Sequence, residues 1–72
     1  MYLNIYDGKG INHLEREKLL YSFPSEHRAE IANSINRIAI GTQAIFNNRS
    51  KGVYNHTVNI WGKSIDVRFY KD

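Results

Sequence analysis

Aromatic, amide and basic side chains alternate with apolar ones along the C-terminal part of the chain, and these are the residues best suited to do chemistry. The set is Arg49, Lys51, Asn55, Thr57, Asn59, Trp61, Lys63, Arg68 and Tyr70. Rings can stack on bases, amides can bond to base edges and cations can neutralise phosphates, so this mixture is typical of proteins that bind RNA or single-stranded DNA. The alternative is an ordinary solvated surface on which Asp66 offsets Arg68 and Trp61 folds over the end of the hairpin.

No combination of residues forms a catalytic or metal-binding motif. The three histidines, His13, His27 and His56, lack the spacing of metal ligands, and no cysteine is present to join them, so we expect no metal or cofactor. His56 falls on the apolar side of a predicted strand beside Phe69, where a histidine is more often a satisfied core or boundary residue than a catalyst. The sequence therefore favours a binding protein over an enzyme.

Length and composition predict one small folded domain over residues 1–72. The hydrophobic content of 42% argues against disorder, no apolar run is long enough to span a bilayer, and the N-terminus does not resemble a signal peptide. The absence of cysteine fits a reducing compartment, so we expect a cytoplasmic protein without a membrane partner. The net charge of +3 comes from residues 37–72, where six Lys and Arg stand against two Asp, and this excess invites an anionic partner.

The first part of the chain predicts a strand followed by a helix. Residues 2–6 alternate between apolar side chains and polar or tyrosine side chains, which is typical of a short strand, and the glycine-rich Asp7–Gly10 segment ends it. Asn12 is a typical helix N-cap, and Glu15 three residues later completes a box-like pattern. We therefore expect a helix over residues 13–22.

The second predicted helix covers residues 24–40 and has the clearest periodicity in the chain. Isoleucines recur at helical spacing from Ile31 onward, and Pro24 suits the first helical turn. Gly41 is expected to end this helix, and the alternation over residues 42–47 then predicts a strand.

The last two predicted strands, residues 53–61 and 64–70, form a hairpin. Glycine at the first central position of a Gly62-Lys63 turn predicts turn type II′, which places Trp61 opposite Ser64. In this register one face of the hairpin is apolar, while the other face collects the polar and aromatic residues.

The predicted order is β-α-α-β-β-β, an α+β fold in which two helices pack on one face of a mainly antiparallel sheet. The other sheet face would be exposed to solvent. It would carry the polar and aromatic residues named above and form the binding surface.

This element order is similar to that of the RelE/ParE-type toxins, small ribosome-dependent ribonucleases or gyrase poisons. The resemblance rests on two helices followed by an antiparallel sheet, on the basic C-terminal half, and on the Arg-x-aromatic segment at Arg68–Tyr70. It implies a ribonuclease in which Arg49, Lys51 and Arg68 bind phosphate and either Tyr70 or His56 acts as the acid or base.

Two classes of function remain open at this point. The first is a small basic protein associated with nucleic acid through the polar and aromatic sheet face, with the ribonuclease toxin as a lesser variant. The second is an inhibitor or adaptor, of the kind that phages and mobile elements carry, which binds a host protein through Trp61 and Tyr70 or through an edge strand, either the first or the last. A chain of this size has a small core, so a homo-oligomer is also compatible with it. The basic sheet-forming half favours the first class.

Overall fold

Two helices pack on one face of a four-stranded sheet in the computed structural model, which describes residues 1–72. The elements in chain order are β1 (Tyr2–Tyr6), β2 (Gly10–Ile11), α1 (His13–Tyr21), a single 3-10 turn (Ser25–His27), α2 (Arg28–Phe46), β3 (Gly52–Ile60) and β4 (Lys63–Lys71). The predicted α+β class, with both helices on one side and the other sheet face exposed, is confirmed. None of the helices is both long and apolar enough to cross a membrane.

The sheet is mixed, with the strand order β2-β1-β4-β3. β1 pairs with β2 and β3 pairs with β4 in antiparallel fashion, whereas β1 and β4 are parallel neighbours. Parallel neighbours cannot be joined by a tight turn, and here the helices and β3 lie between them in the chain. β1 and β4 therefore both lie inside the sheet, so the expectation that the first or the last strand forms an edge is wrong; the edges are β2 and β3.

Asn12 caps α1 as predicted. Its Oδ1 accepts hydrogen bonds from the backbone N–H groups of Leu14 at 3.0 Å and Glu15 at 3.2 Å. Glu15 does not complete the expected box, because the N–H of Asn12 already donates to the carbonyl of Asn4. The Glu15 carboxylate instead accepts from the side-chain amide of Asn4, so it ties α1 to β1. The two-residue strand β2 was not predicted.

The predicted end of the second helix at Gly41 is wrong, and so is the strand over residues 42–47. α2 continues through both to Phe46. Thr42 and Phe46 extend the buried stripe of the helix at helical spacing, and this longer period outweighs the short alternation that suggested a strand. Gly41 lies inside the helix with a helical backbone, so it does not act as a C-cap. At the other end, Pro24 precedes the 3-10 turn and lies outside α2.

The turn of the β3–β4 hairpin also differs from the prediction. Its central residues are Trp61 and Gly62, with φ angles of 51° and 83°, so both are left-handed as a type I′ turn requires. Asn59 Oδ1 accepts a hydrogen bond from the Gly62 N–H at 3.0 Å and braces this turn. The predicted type II′ turn at Gly62-Lys63 is therefore wrong.

Moving the turn by one residue shifts the pairing by two, so that Val58 rather than Ile60 lies opposite Ile65. Because side chains alternate with period two, a shift of two residues leaves the side chains of the paired residues on their predicted faces, whereas Trp61 moves from the strand into the turn. The apolar face of the hairpin accordingly packs under the helices. The core lies between the sheet and the helices: Leu3, Ile5, Leu19, Phe23, Ile31, Ile35, Phe46, Ile60, Ile65, Val67 and Phe69.

Candidate nucleic-acid interface

The sheet surface opposite the helices is called the outer face. Register and burial assign to it alternate residues of three strands: Tyr2, Asn4 and Tyr6 of β1, Val53, Asn55, Thr57 and Asn59 of β3, and Ser64, Asp66, Arg68 and Tyr70 of β4. The residues between them on β1 and β4, such as Leu3 and Val67, are buried in the core. Most of the outer face is open, and at its β1 edge Glu15 of α1 reaches across to the side-chain amide of Asn4.

Aromatic rings meet across the β1–β4 pairing. Tyr6 and Tyr70 are register partners, and their rings stack with centroids 5.0 Å apart and planes 13° from parallel. Further along the same face, the guanidinium of Arg68 lies 4.7 Å from the ring centroid of Tyr2, which is a cation–π contact. Three tyrosines and one arginine therefore occupy one continuous surface.

Polar groups surround Arg68 in a shallow depression lined by Tyr2, Asn55, His56, Thr57, Asp66 and Arg68. Thr57 Oγ1 donates to Asp66 Oδ1 at 3.2 Å, whereas Arg68 makes no ion pair. Its guanidinium keeps its charge available to a ligand. Asp66 lies two residues before Arg68 on the same face of β4, and its negative charge lowers the positive potential of this depression.

Trp61 and Lys63 do not lie on the outer face, where the predicted register had placed Trp61. The Trp61 ring contacts the ring of His27 with centroids 4.3 Å apart, on the helix side of the sheet. Lys63 lies opposite Ile60, a core residue, and its Nζ donates to the carbonyl of Ser22 at 3.0 Å. Lys63 shares the face of Ile65 by alternation along β4, and Trp61 lies in the turn rather than in a strand.

Arg49 and Lys51 lie in the exposed connection between α2 and β3. The Arg49 guanidinium is 5.8 Å from the ring centroids of both Phe46 and Tyr54, which belong to the helix side of the sheet. Lys51 makes no hydrogen bond or ion pair and stands next to the start of β3. The predicted site is thus divided: Asn55, Thr57, Asn59, Arg68 and Tyr70 share the outer face, and the other predicted residues flank its ends or lie behind it.

The sequence interpretation missed Tyr2 and Tyr6, which supply two of the three rings of the outer face. Their alternation with Leu3 and Ile5 was visible and placed them on the polar side of a strand. Their neighbourhood with Arg68 and Tyr70 depends on the parallel β1–β4 pairing, which joins opposite ends of the chain and leaves no local signal.

His56 is a satisfied boundary residue, as predicted. Its Nε2 lies 2.7 Å from the hydroxyl of the buried Thr42, and its ring meets that of Phe46 edge-on at 5.6 Å. It pairs with Val67 rather than with Phe69. His13 begins α1 and His27 precedes α2, and no group of three or more His, Cys, Asp or Glu side chains is close enough together to hold a metal ion.

Comparison with protein-family models, with curated proteins and with solved structures finds no match. The resemblance to the RelE/ParE-type toxins gains no support from these comparisons. The element order on which it rested is also not the observed one, because α2 continues to Phe46 and only two strands follow the helices.

Proposed function

We propose that this chain is a small cytoplasmic protein that binds RNA or single-stranded DNA on its outer face. The observation that carries the proposal is the grouping of Tyr2, Tyr6, Arg68 and Tyr70 on one uncovered sheet surface, with both helices on the opposite side. The absence of cysteine and the basic charge of the chain support the compartment and the anionic partner.

The tyrosines supply stacking surfaces. Tyr2 is 55% exposed and Tyr6 36%, so their rings can receive bases without rearrangement of the core. Stacking of a base on an aromatic side chain contributes about 1–3 kcal/mol and is available to every base. Asn55 and Thr57, next to Arg68 and Asp66, add the amide and hydroxyl groups that bond to base edges.

The charge of the outer face limits the affinity and sets its salt dependence. Arg68 is its one cation, and Asp66 lies beside it, while Lys51 can reach a phosphate only at the end of β3. Lys71, at the end of β4, is engaged with Asp7 at 3.2 Å. With about two phosphates neutralised, the logarithm of the binding constant for a single strand should fall with that of the salt concentration with a slope of about −1.4.

A broad sheet surface favours single strands over duplexes. Bases in a duplex are stacked on each other and present only their edges, whereas the rings of the outer face need exposed base planes. The outer face has no protruding helix or ribbon that would enter a major groove. We therefore expect weaker binding to duplex than to either single strand.

The test is a fluorescence-anisotropy titration of labelled single-stranded RNA, single-stranded DNA and duplex at two salt concentrations, with two matched arginine variants. Arg68→Ala should weaken single-strand binding about tenfold and reduce the salt slope by about 0.7. Arg37→Ala removes the same charge from the exposed side of α2, behind the sheet, and should change binding less than about twofold.

Absence of binding at low salt would overturn the proposal and favour an inhibitor or adaptor with a protein target, to be sought by pull-down. Equal losses in the two arginine variants would also contradict it, because they would indicate attraction by net charge rather than binding at the outer face.

A further inference from the structure

β3 forms an open edge of the sheet and lacks the features that normally protect such edges. It is the last strand in the order β2-β1-β4-β3, so one side of its backbone pairs with β4 and the other pairs with nothing. Edge strands of soluble proteins commonly carry charged residues, proline or a bulge. Gly52–Ile60 contains no Lys, Arg, Asp, Glu or Pro, in a chain that is 24% charged, and its pairing with β4 is continuous.

The hairpin geometry determines which backbone groups are free. A two-residue turn closes on a hydrogen-bonded pair, here Ile60 and Lys63, and hydrogen-bonded and non-bonded pairs then alternate along the ladder. Val58 and every second residue before it direct N–H and C=O toward β4. The N–H and C=O groups of the intervening residues, Val53, Asn55, Thr57 and Asn59, point to the open edge.

We propose that this edge binds a second copy of the chain, with β3 paired antiparallel to β3 of that copy around a two-fold axis at His56. This register pairs Val53 with Asn59 and Asn55 with Thr57, so every outward-pointing residue finds a partner. A strand that pairs with itself places like residues near like residues. Charged residues on such a strand would repel their copies, so self-pairing favours an uncharged edge. An acidic or basic partner would instead be recognised by opposite charges, and β3 carries none.

The flank of α2 that lies above this edge is also apolar and uncovered. Asn36, Ala39 and Gln43 line a groove with β2 and the start of α1, so that flank of α2 faces the β2 edge of the sheet. At 100° per residue, Ile38, Gly41 and Ile45 lie on the opposite flank, toward the β3 edge. Ile45 is 56% exposed there.

The same two-fold axis brings these flanks together. Thr42 is bonded to His56, so α2 crosses β3 near the proposed axis, with Gly41 beside the crossing. α2 contacts both β3 and β4, and two such helices in a continuous sheet would be about two strand spacings, roughly 10 Å, apart. This is the usual interaxial distance of packed helices. Gly41 permits close approach, and Ile38 of one copy meets Ile45 of the other.

The assembly would be a continuous eight-stranded sheet with all helices on one side. An axis perpendicular to the sheet keeps the two outer faces on the same side, so Arg68 and Tyr70 of both copies would line one uninterrupted surface. The dimer does not depend on what that surface binds.

Sedimentation velocity across a range of protein concentrations tests the dimer with two matched variants of exposed isoleucines on α2. Ile45→Lys places a charged side chain against the apolar Ile38 of the other copy and should weaken dimerisation about tenfold or more. Ile40→Lys, at a position that is 68% exposed beside the groove with β2, makes the same chemical change outside the interface and should leave dimerisation unchanged.

Amide hydrogen exchange locates the interface at the strand edge. The Thr57 N–H should become protected as the protein concentration rises, and this protection should be lost in the Ile45→Lys variant. The Val58 N–H, bonded within the hairpin, should be protected at every concentration and reports that the fold is intact.

Three results would overturn the proposal. The first is a monomer at every concentration up to about 1 mM. The second is a dimer that Ile40→Lys disrupts and Ile45→Lys does not. The third is a dimer in which the Thr57 N–H exchanges as fast as in the monomer.

Discussion

The contact between Thr42 and His56 is the residue-scale feature that links the helix layer to the hairpin. Thr42 is the one polar residue that is fully buried, and its hydroxyl reaches the ring of a half-buried histidine. A buried hydroxyl without a partner would cost free energy, so the pair satisfies both groups at the boundary of the core. The sequence predicted that His56 would be satisfied at such a boundary. It could not predict the partner, because Thr42 was assigned to a strand rather than to the helix that brings it to β3.

Replacing Thr42 with Val preserves the volume of the side chain and removes this hydrogen bond. We expect the free energy of unfolding to fall by about 1 kcal/mol, measured by urea denaturation. Thr57→Val is the matched control, since the Thr57 hydroxyl is exposed and bonds only to Asp66 at 3.2 Å. It should change the stability by less than about 0.5 kcal/mol. Equal losses in the two variants would show that the buried hydrogen bond contributes nothing specific.

At the scale of the elements, α2 shows where local reading of a sequence fails. A glycine after an isoleucine-rich stripe is a common helix end, and the alternation that follows it resembles a strand. The helix continues because Thr42 and Phe46 face the same core as Ile31 and Ile35. Packing against the sheet outweighs the local preference of Gly41, and packing is not visible in a window of a few residues.

The substitution Gly41→Ala distinguishes a helix interior from a helix end. Alanine in a helical conformation should raise the free energy of unfolding by about 0.5–1 kcal/mol, and nothing lies within 4 Å of the added methyl group. Gly62→Ala makes the same change at φ +83°, where an L side chain is strained, and should lower stability by about 1 kcal/mol. Thermal unfolding at one low protein concentration measures both variants under the same conditions. A destabilising Gly41→Ala would place the end of α2 at Gly41.

In the hairpin, by contrast, the local sequence pattern was sufficient to predict which side chains face the core. Alternation along β3 and β4 fixed which side chains face the core, and the structure confirms those faces. The turn type was wrong because both Gly62-Lys63 and Trp61-Gly62 contain a glycine, and a tryptophan at positive φ is uncommon. A two-residue error in pairing leaves the faces intact, but it moved Trp61 from the sheet surface to the helix layer, where it contacts His27.

At the scale of the whole molecule, the parallel placement of β1 beside β4 creates the candidate site. The polar half of the site on the hairpin could be predicted, because Asn55, Thr57, Arg68 and Tyr70 alternate with core residues. The aromatic half on β1 could not, because its position depends on a pairing between the two ends of the chain. Long-range pairing is set by the assembled core rather than by any local pattern, so Tyr2 and Tyr6 join the site only in the folded molecule.

The most direct test of the outer face as a binding surface is amide chemical-shift mapping during titration with a short unstructured RNA oligonucleotide. We predict that the largest changes fall on Tyr2, Tyr6, Arg68 and Tyr70, while Asn33 and Arg37 on the exposed side of α2 remain unchanged. Changes confined to the helices, or none at low salt, would contradict the assignment of nucleic-acid binding to the outer face.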